Sequence, residues 1–163
     1  MSQFTFNVSL GREVEFHNRV DGNDPVNSAL VLMVLAAATI ESDSTLKDYD
    51  TFAAIIAISL EVTNGGGTPY ARKILTDANI GPYTVDDTLN SITLPLANQT
   101  WATIAAGDSW SKLVIGYDSD TTSGTDANII PVVAQDLFIN GVATVPNGND
   151  IIVSFPLGYC VAS

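Results

Sequence analysis

The stretch KLVIGYDSDTTSGTDANIIPVV, residues 112–133, decides the fold. Two apolar runs rich in β-branched residues, 115–117 and 129–133, flank a polar segment that contains three aspartates and one glycine. β-Branched residues favour strands, whereas Gly, Asp, Asn and Ser favour turns. The stretch therefore predicts two strands joined by a polar turn. Pro131 is expected to mark a sheet edge or a bulge, because proline cannot donate a hydrogen bond to a strand ladder.

Similar short β-runs recur about every 10 to 15 residues, separated by Gly, Asn, Asp or Pro, which is typical of a sandwich or barrel. The apolar run at 29–38 predicts a buried strand, and residues 151–155 predict a final one. We expect a mainly β fold: an antiparallel β-sandwich, immunoglobulin-like or jelly-roll-like, with one short helix. That helix is predicted to begin at Phe52, capped by Asp50 or Thr51, with Ile55, Ile56 and Ser59 following; another buried strand is the alternative for this segment.

The length of 163 residues suits a single domain. Residues 28–163 are predicted to form the sandwich. Residues 1–27 have a different composition and alternate in stretches, so we expect one or two strands there, or an extended N-terminal arm that reaches a neighbouring molecule.

The charge of the chain limits which classes of partner it can bind. The formal net charge is −12, and Lys112 is the last basic residue. A field of this sign repels phosphate backbones, so direct nucleic-acid binding is not expected. The five later aspartates are expected to face water, a cation or a basic partner surface. The longest apolar run has ten residues, too few for a bilayer; no membrane partner is expected. No export signal is visible, which predicts synthesis in a reducing cytoplasm.

The three aspartates Asp118, Asp120 and Asp126 raise the question of a cation site. An EF-hand loop requires glycine at its sixth position and glutamate at its twelfth, but here Gly124 is seventh from Asp118 and Ile129 is twelfth. A looser oxygen cage and a carboxylate pair for acid–base chemistry stay open as alternatives. The interpretation we adopt is a solvated turn.

Other residues with chemical potential lack partners in the sequence. Cys160 is the one cysteine and His17 the one histidine, so a disulfide is excluded and a zinc site or a catalytic triad is not expected. The glycine-rich segment 63–70 lacks the Gly-Lys-Ser/Thr of a phosphate-binding loop. Arg72 and Lys73 on a strand would point to opposite faces. We therefore predict no catalytic, cofactor-binding or metal-binding residues, no cofactor and no enzymatic activity.

The aromatic residues divide into two groups. Trp101 and Trp110 lie beside predicted strands and are expected to anchor the core. Tyr70, Tyr83 and Phe138 border predicted loops, and aromatic residues are enriched at protein interfaces, so each is a candidate interface anchor.

The order of several strand and turn motifs resembles that of structural proteins of tailed bacteriophages. The motifs are LVLMVLAAA, then TNGGGTPYARKILT, then QTWATI, LVIGYD, the acidic Thr-rich turn, NIIPVV and finally PNGNDIIVSF. They span residues 28–156 and are structural patterns that carry no catalytic residues.

The resemblance implies a virion component with a β-sandwich fold, assembled in the host cytoplasm. We expect a capsid decoration (cement) protein that binds and stabilises the outer surface of the head; a neck or tail component is the alternative. Implied partners are the major capsid protein or other virion proteins, and further copies of the chain, for example in a trimer. From the residues alone, a calcium- or carbohydrate-binding β-module is an alternative from another class.

Overall fold

The computed structural model describes residues 3–64, 67–139 and 141–162, and it confirms a mainly β chain with antiparallel sheets and few helices. The strands are β1 (Gln3–Thr5), β2 (Ala29–Ala36), β3 (Lys73–Leu75), β4 (Thr84–Asp86), β5 (Ser91–Leu94), β6 (Gln99–Trp101), β7 (Trp110–Asp118), β8 (Ile130–Asp136), β9 (Phe138–Ile139), β10 (Val142–Ala143), β11 (Ile151–Val153) and β12 (Cys160–Ala162). The helices are α1 (Glu13–Asp21), α2 (Asp43–Leu46) and α3 (Phe52–Ile56).

A five-stranded antiparallel sheet in the order β1-β8-β7-β2-β3 forms the centre of the molecule. The strands predicted from residues 112–133 are its neighbours β7 and β8. Their register shifts by one residue where Gly116 faces Pro131 and Ile115 faces Val133. This bulge lies where Pro131 predicted an irregularity.

Both faces of the central sheet are buried, which explains why all eight residues of β2 are apolar and buried. Leu32 and Val34 point into one hydrophobic core, and Met33 and Leu35 point into a second core on the opposite face. The first core is closed by α1 and by short strands, the second by α2, α3 and Phe6. The central sheet is thus the middle layer of a sandwich-like arrangement.

Three small antiparallel sheets lie outside the central one: β12-β5-β4, β11-β6 and β10-β9. Leu94 from β5, Trp101 from β6, Val153 from β11 and Cys160 from β12 all contribute to the first core. The predicted final strand at 151–155 is therefore the shorter β11, and β12 follows it.

Residues 3–27 contain one of the strands expected there, followed by a helix that was not expected, in place of an extended arm. β1 pairs with the edge of β8, and Phe6 is completely buried. Residues 13–21 form α1 because Glu13, Phe16, His17 and Val20 recur at helical spacing and make one buried face. This segment is therefore packed against the body of the same chain, since burying that apolar face stabilises it there.

Gly116, on the central strand β7, makes room for α3. A Cβ atom at this position would overlap the Phe52 ring and would lie 2.9 Å from Cγ2 of Ile129. Phe52 is placed there by α3, whose first turn is capped by the Thr51 hydroxyl accepting from the Ala54 amide at 3.2 Å.

We expect Gly116→Ala to lower the free energy of unfolding by about 1–3 kcal/mol, because overpacking forces a buried ring or the strand to shift. Urea unfolding followed by tryptophan fluorescence measures the effect. The matched control is Gly81→Ala, where a Cβ meets no atom within 4 Å. Equal unfolding midpoints for the two variants would contradict the packing described for Phe52.

Candidate functional site

The acidic turn between β7 and β8 is held by its own carboxylates. Asp118 is buried, and its Oδ1 accepts the Asp120 amide at 3.0 Å. Asp120 accepts the amide of Thr122 at 3.0 Å and the hydroxyl of Ser123 at 2.8 Å. Hydrogen bonds from Thr122 and Ser123 lower the pKa of Asp120. These two aspartates act as turn-forming residues.

The third aspartate of the turn, Asp126, forms an ion pair with an arginine of the same chain. The Arg72 guanidinium makes a forked pair with Glu61, at 2.8 and 2.7 Å, and a second ion pair with Asp126. Burial opposes the charge of Arg72, but hydrogen bonds to Glu61 and Asp126 outweigh it and raise its pKa. Arg72 thus connects the acidic turn, through Asp126, to the segment that follows α3, through Glu61.

A second internal pair corrects the expectation for the C-terminal acids. Lys112 on β7 is buried and forms ion pairs with Asp136 on β8 and with Asp43 on α2, the latter at 2.9 Å. Two of the five late aspartates, Asp126 and Asp136, therefore pair with basic residues that precede them in the sequence. Within the described ranges, no group of three or more His, Cys, Asp or Glu side chains is placed to hold a metal ion.

His17, on α1, is fully buried. Its ring faces Gly81 in the segment after β3 and Tyr159, which directly precedes β12. Its Nε2 lies 2.8 Å from the Gly81 carbonyl oxygen, and its Nδ1 lies 3.2 Å from the Tyr159 hydroxyl. A carbonyl only accepts, so Nε2 carries the hydrogen and Nδ1 accepts from Tyr159. Burial lowers the pKa of His17, against smaller opposing effects of Gly81 and Asp21. The imidazole is therefore a neutral structural link.

Cys160 is buried in β12. Burial raises the pKa of its thiol to about 11, with a smaller contribution from Glu13. Because the thiolate is the nucleophilic form, the thiol is not activated at neutral pH. His17 does not act as a base for this thiol, because its two ring nitrogens are already hydrogen-bonded to Gly81 and Tyr159.

The neutral His17 makes stability depend on pH. A histidine whose folded pKa is below its unfolded value of about 6.5 favours unfolding when it is protonated. We therefore expect the free energy of unfolding to fall as the pH decreases from 7 to 5, and one titrating group contributes a slope of at most about 1.4 kcal/mol per pH unit.

Thermal unfolding across this pH range measures the slope, and the control is His17→Asn, which removes the titrating group. A variant with the same slope as the parent chain would assign the effect to other groups.

The aromatic candidates are divided by burial. Trp101 and Trp110 lie in the core, as predicted. Tyr70 packs against the same core and accepts the Val34 amide at 2.9 Å, so it is not an exposed anchor. Phe138 and Tyr83 remain as interface candidates, being 38% and 37% exposed.

The glycine-rich segment at 63–70 falls partly outside the described residues, at Gly65 and Gly66.

Phe138 lies in a surface groove of about 420 Å³ beside other exposed apolar side chains. One wall is formed by residues 135–138, 144, 145 and 147, and the other by residues 149–154. Val145 is 60% exposed and Ile152 is 61% exposed, and both line it together with Phe138. We refer to this feature as the β11 groove. Its lining includes Asp136 and Asp150 and no Lys, Arg or His.

Comparison with known proteins identifies no similar protein. No protein-family model, curated protein sequence or solved structure matches the chain. In the ranges that the structure covers, no helix combines the length and apolar character needed to cross a membrane.

Sequence reasoning singled out Phe138 but missed Val145 and Ile152. Their apolar character in VATVPNGNDIIV fits a core strand equally well. A weak signal was available, since Ile151 and Ile152 are consecutive on a strand and one of them must face away from the core.

Proposed function

We propose that the chain is a non-catalytic structural protein of a tailed-bacteriophage particle, bound as a decoration protein to the outer surface of the head. The observation that carries this proposal is the β11 groove: exposed Phe138, Val145 and Ile152 on a protein of net charge −12. Contiguous exposed apolar side chains on an otherwise polar surface mark sites where proteins bind one another. The order of strand and turn motifs supports the placement in a virion.

The use of the ionisable residues also supports a binding role. Arg72 and Lys112 are committed to ion pairs that hold turns and strands together. His17 is a buried hydrogen-bonded link, and Cys160 is a buried thiol. Each of these four side chains has a structural role in the core or at its margin. The β11 groove, in contrast, presents a concave, partly apolar surface to which a partner can bind.

A decoration protein binds many equivalent sites, so modest affinity per site suffices. A typical stable contact buries about 800 Å² per partner. When copies also touch neighbouring subunits or each other, effective concentration strengthens retention without new contacts at each site.

The copy number in purified particles of the phage that encodes the chain tests this proposal. Quantitative mass spectrometry with the major capsid protein as the internal standard should give hundreds of copies per particle. A count of about six or twelve, the multiplicity of a closed ring, would instead assign the chain to the neck or tail. Absence of the chain from the particles would overturn the virion assignment altogether.

A further inference from the structure

We propose that the β11 groove binds an extended segment of a partner protein that carries alternating apolar and basic side chains, and that this segment pairs with the free edge of β11. The inference deepens the proposed function, since it names the chemistry of the contact. Only the identity of the partner, a virion protein, rests on that function.

The lining of the groove indicates that a strand edge faces it. Residues 149–154 are consecutive in sequence, and all of them line the groove. Successive side chains of a strand point to opposite faces, so a cavity over one face would touch every second residue. A cavity along the edge of the strand touches consecutive residues. The groove therefore runs along the backbone of β11.

This edge of β11 has no strand partner among the residues that the structure describes. β11 pairs with β6 on its other side, and the two form a sheet of only two strands. The opposite wall is already paired: the Leu137 amide donates to the Ser111 carbonyl at 2.7 Å, and the Thr144 amide to the Trp110 carbonyl at 3.0 Å. An open edge of this kind accepts an added strand through main-chain hydrogen bonds.

The exposed side chains supply the apolar part of the recognition. Ile152 lines one wall, while Phe138 and Val145 line the other. In a strand that pairs with β11, every second side chain would point to the same face and could contact them. Specificity for apolar residues at alternate positions follows from this spacing.

The charges of the chain select a basic occupant. Asp150 is exposed at the rim of the groove, where it accepts the Thr103 amide at 2.8 Å, and the sequence beyond Lys112 contains no basic residue. The net charge of −12 extends this negative field around the molecule. At this groove a basic segment is attracted more strongly than a second copy, which carries the same net negative charge.

The test uses the full chain labelled with ¹⁵N and a synthetic peptide of about nine residues with alternating Val and Lys, the length of a long strand. Titration followed by amide chemical shifts should give changes concentrated in residues 135–138 and 144–154. A peptide with Glu in place of Lys should cause no comparable changes. Raising the salt from about 50 to 500 mM should weaken binding of the Lys peptide, since screening shortens the reach of the protein field.

Two exposed isoleucines on edge strands provide the matched variants. Ile152→Thr should weaken binding about five- to tenfold, which is the usual effect of losing one buried apolar contact of this size. Ile74→Thr on β3, where Ile74 is 56% exposed, should leave the affinity unchanged. A peptide N-methylated at alternate residues, which cannot complete the strand ladder, should bind at least tenfold more weakly.

The remaining outcomes would overturn the inference. Shifts spread over the surface, or centred on β4 and β12, would place the basic segment elsewhere. Equal binding of the Val–Glu peptide would remove the charge selection, and full binding of the N-methylated peptide would remove the strand pairing. Concentration-dependent shifts of the groove without peptide would identify a second copy as the occupant. None of these results depends on a virion, so a failure here is distinct from a failure of the copy-number test.

Discussion

Lys112→Met is expected to lower the free energy of unfolding by about 3–5 kcal/mol, the usual cost of removing one member of a buried ion pair. The Lys112 side chain is 6% exposed and lies between Asp136, 12% exposed, and Asp43, 41% exposed. Methionine keeps much of the apolar stem but not the ammonium group. Asp136 therefore loses its cation in a poorly solvated position at the junction of β7, β8 and α2, and the more exposed Asp43 loses the same partner.

Denaturant unfolding at neutral pH measures this loss, and two further variants define its origin. The double variant Lys112→Met, Asp136→Asn removes both charges of the strand pair and should recover at least about 1 kcal/mol of the loss. Arg19→Gln breaks an exposed pair with Glu15 and should lower the unfolding midpoint much less than Lys112→Met does. If Lys112→Met cost no more than Arg19→Gln, the internal role of Lys112 would be refuted.

Trp110→Ala is expected to cost about 3–5 kcal/mol, as for other buried aromatic residues truncated to alanine. The Trp110 ring is completely buried and meets the Trp101 and Tyr70 rings edge-on, at centroid distances of 5.5 and 5.6 Å. Its indole N–H donates to Oδ1 of Asn64 at 2.7 Å. The substitution therefore removes both a packing element of the first core and the donor that satisfies a buried amide oxygen.

Trp110→Phe separates these two contributions. Phenylalanine restores most of the ring but leaves Oδ1 of Asn64 without its donor, so we expect a loss of about 1–3 kcal/mol. Far-UV circular dichroism is the suitable probe, because the substitution changes the tryptophan fluorescence itself. A loss for Trp110→Phe equal to that for Trp110→Ala would show that the hydrogen bond, and not the ring packing, carries the effect.

The centre of the fold could be predicted from the sequence because its physical signal is local. The short apolar run that contains β2 could form a buried strand or a buried helix, and its length and Leu-Val-Leu-Met-Val centre favoured the strand that the structure shows. The polar turn with Pro131 beside it predicted two neighbouring strands and an irregular register. Thr51 and Phe52 predicted the start of α3, because an N-cap hydroxyl followed by apolar residues at helical spacing is also a local signal.

The N-terminal segment was predicted only in part, because two periodicities overlap in it: β1 is one of the expected strands, but residues 13–21 form a helix. In EVEFHNRV, the charged and apolar residues alternate well enough to indicate a strand, although Phe16, His17 and Val20 also have helical spacing. The helix was chosen by tertiary packing: Phe16 stacks on Tyr117 at a centroid distance of 4.8 Å, and His17 reaches Tyr159. These contacts join residues far apart in sequence.

The candidate site was even less accessible to sequence reasoning. Whether Ile152 packs inward or lines an open edge depends on which strands pair, and this pairing is not written in the local pattern. The same holds for Asp126 and Asp136, whose basic partners Arg72 and Lys112 come from earlier strands and loops. Charge counted along the chain therefore overstated the number of acids that need an external partner.

Under the proposed function, the β11 groove docks another virion protein. The most direct measurement places the photoreactive residue p-benzoylphenylalanine at position 138 or, as the control, at position 89, where Leu89 is exposed outside the groove. Irradiation of purified particles that carry each variant should cross-link position 138 to one other virion protein and leave position 89 unlinked. Equal adducts from both positions, or none from position 138 in particles that contain the chain, would contradict docking through this groove.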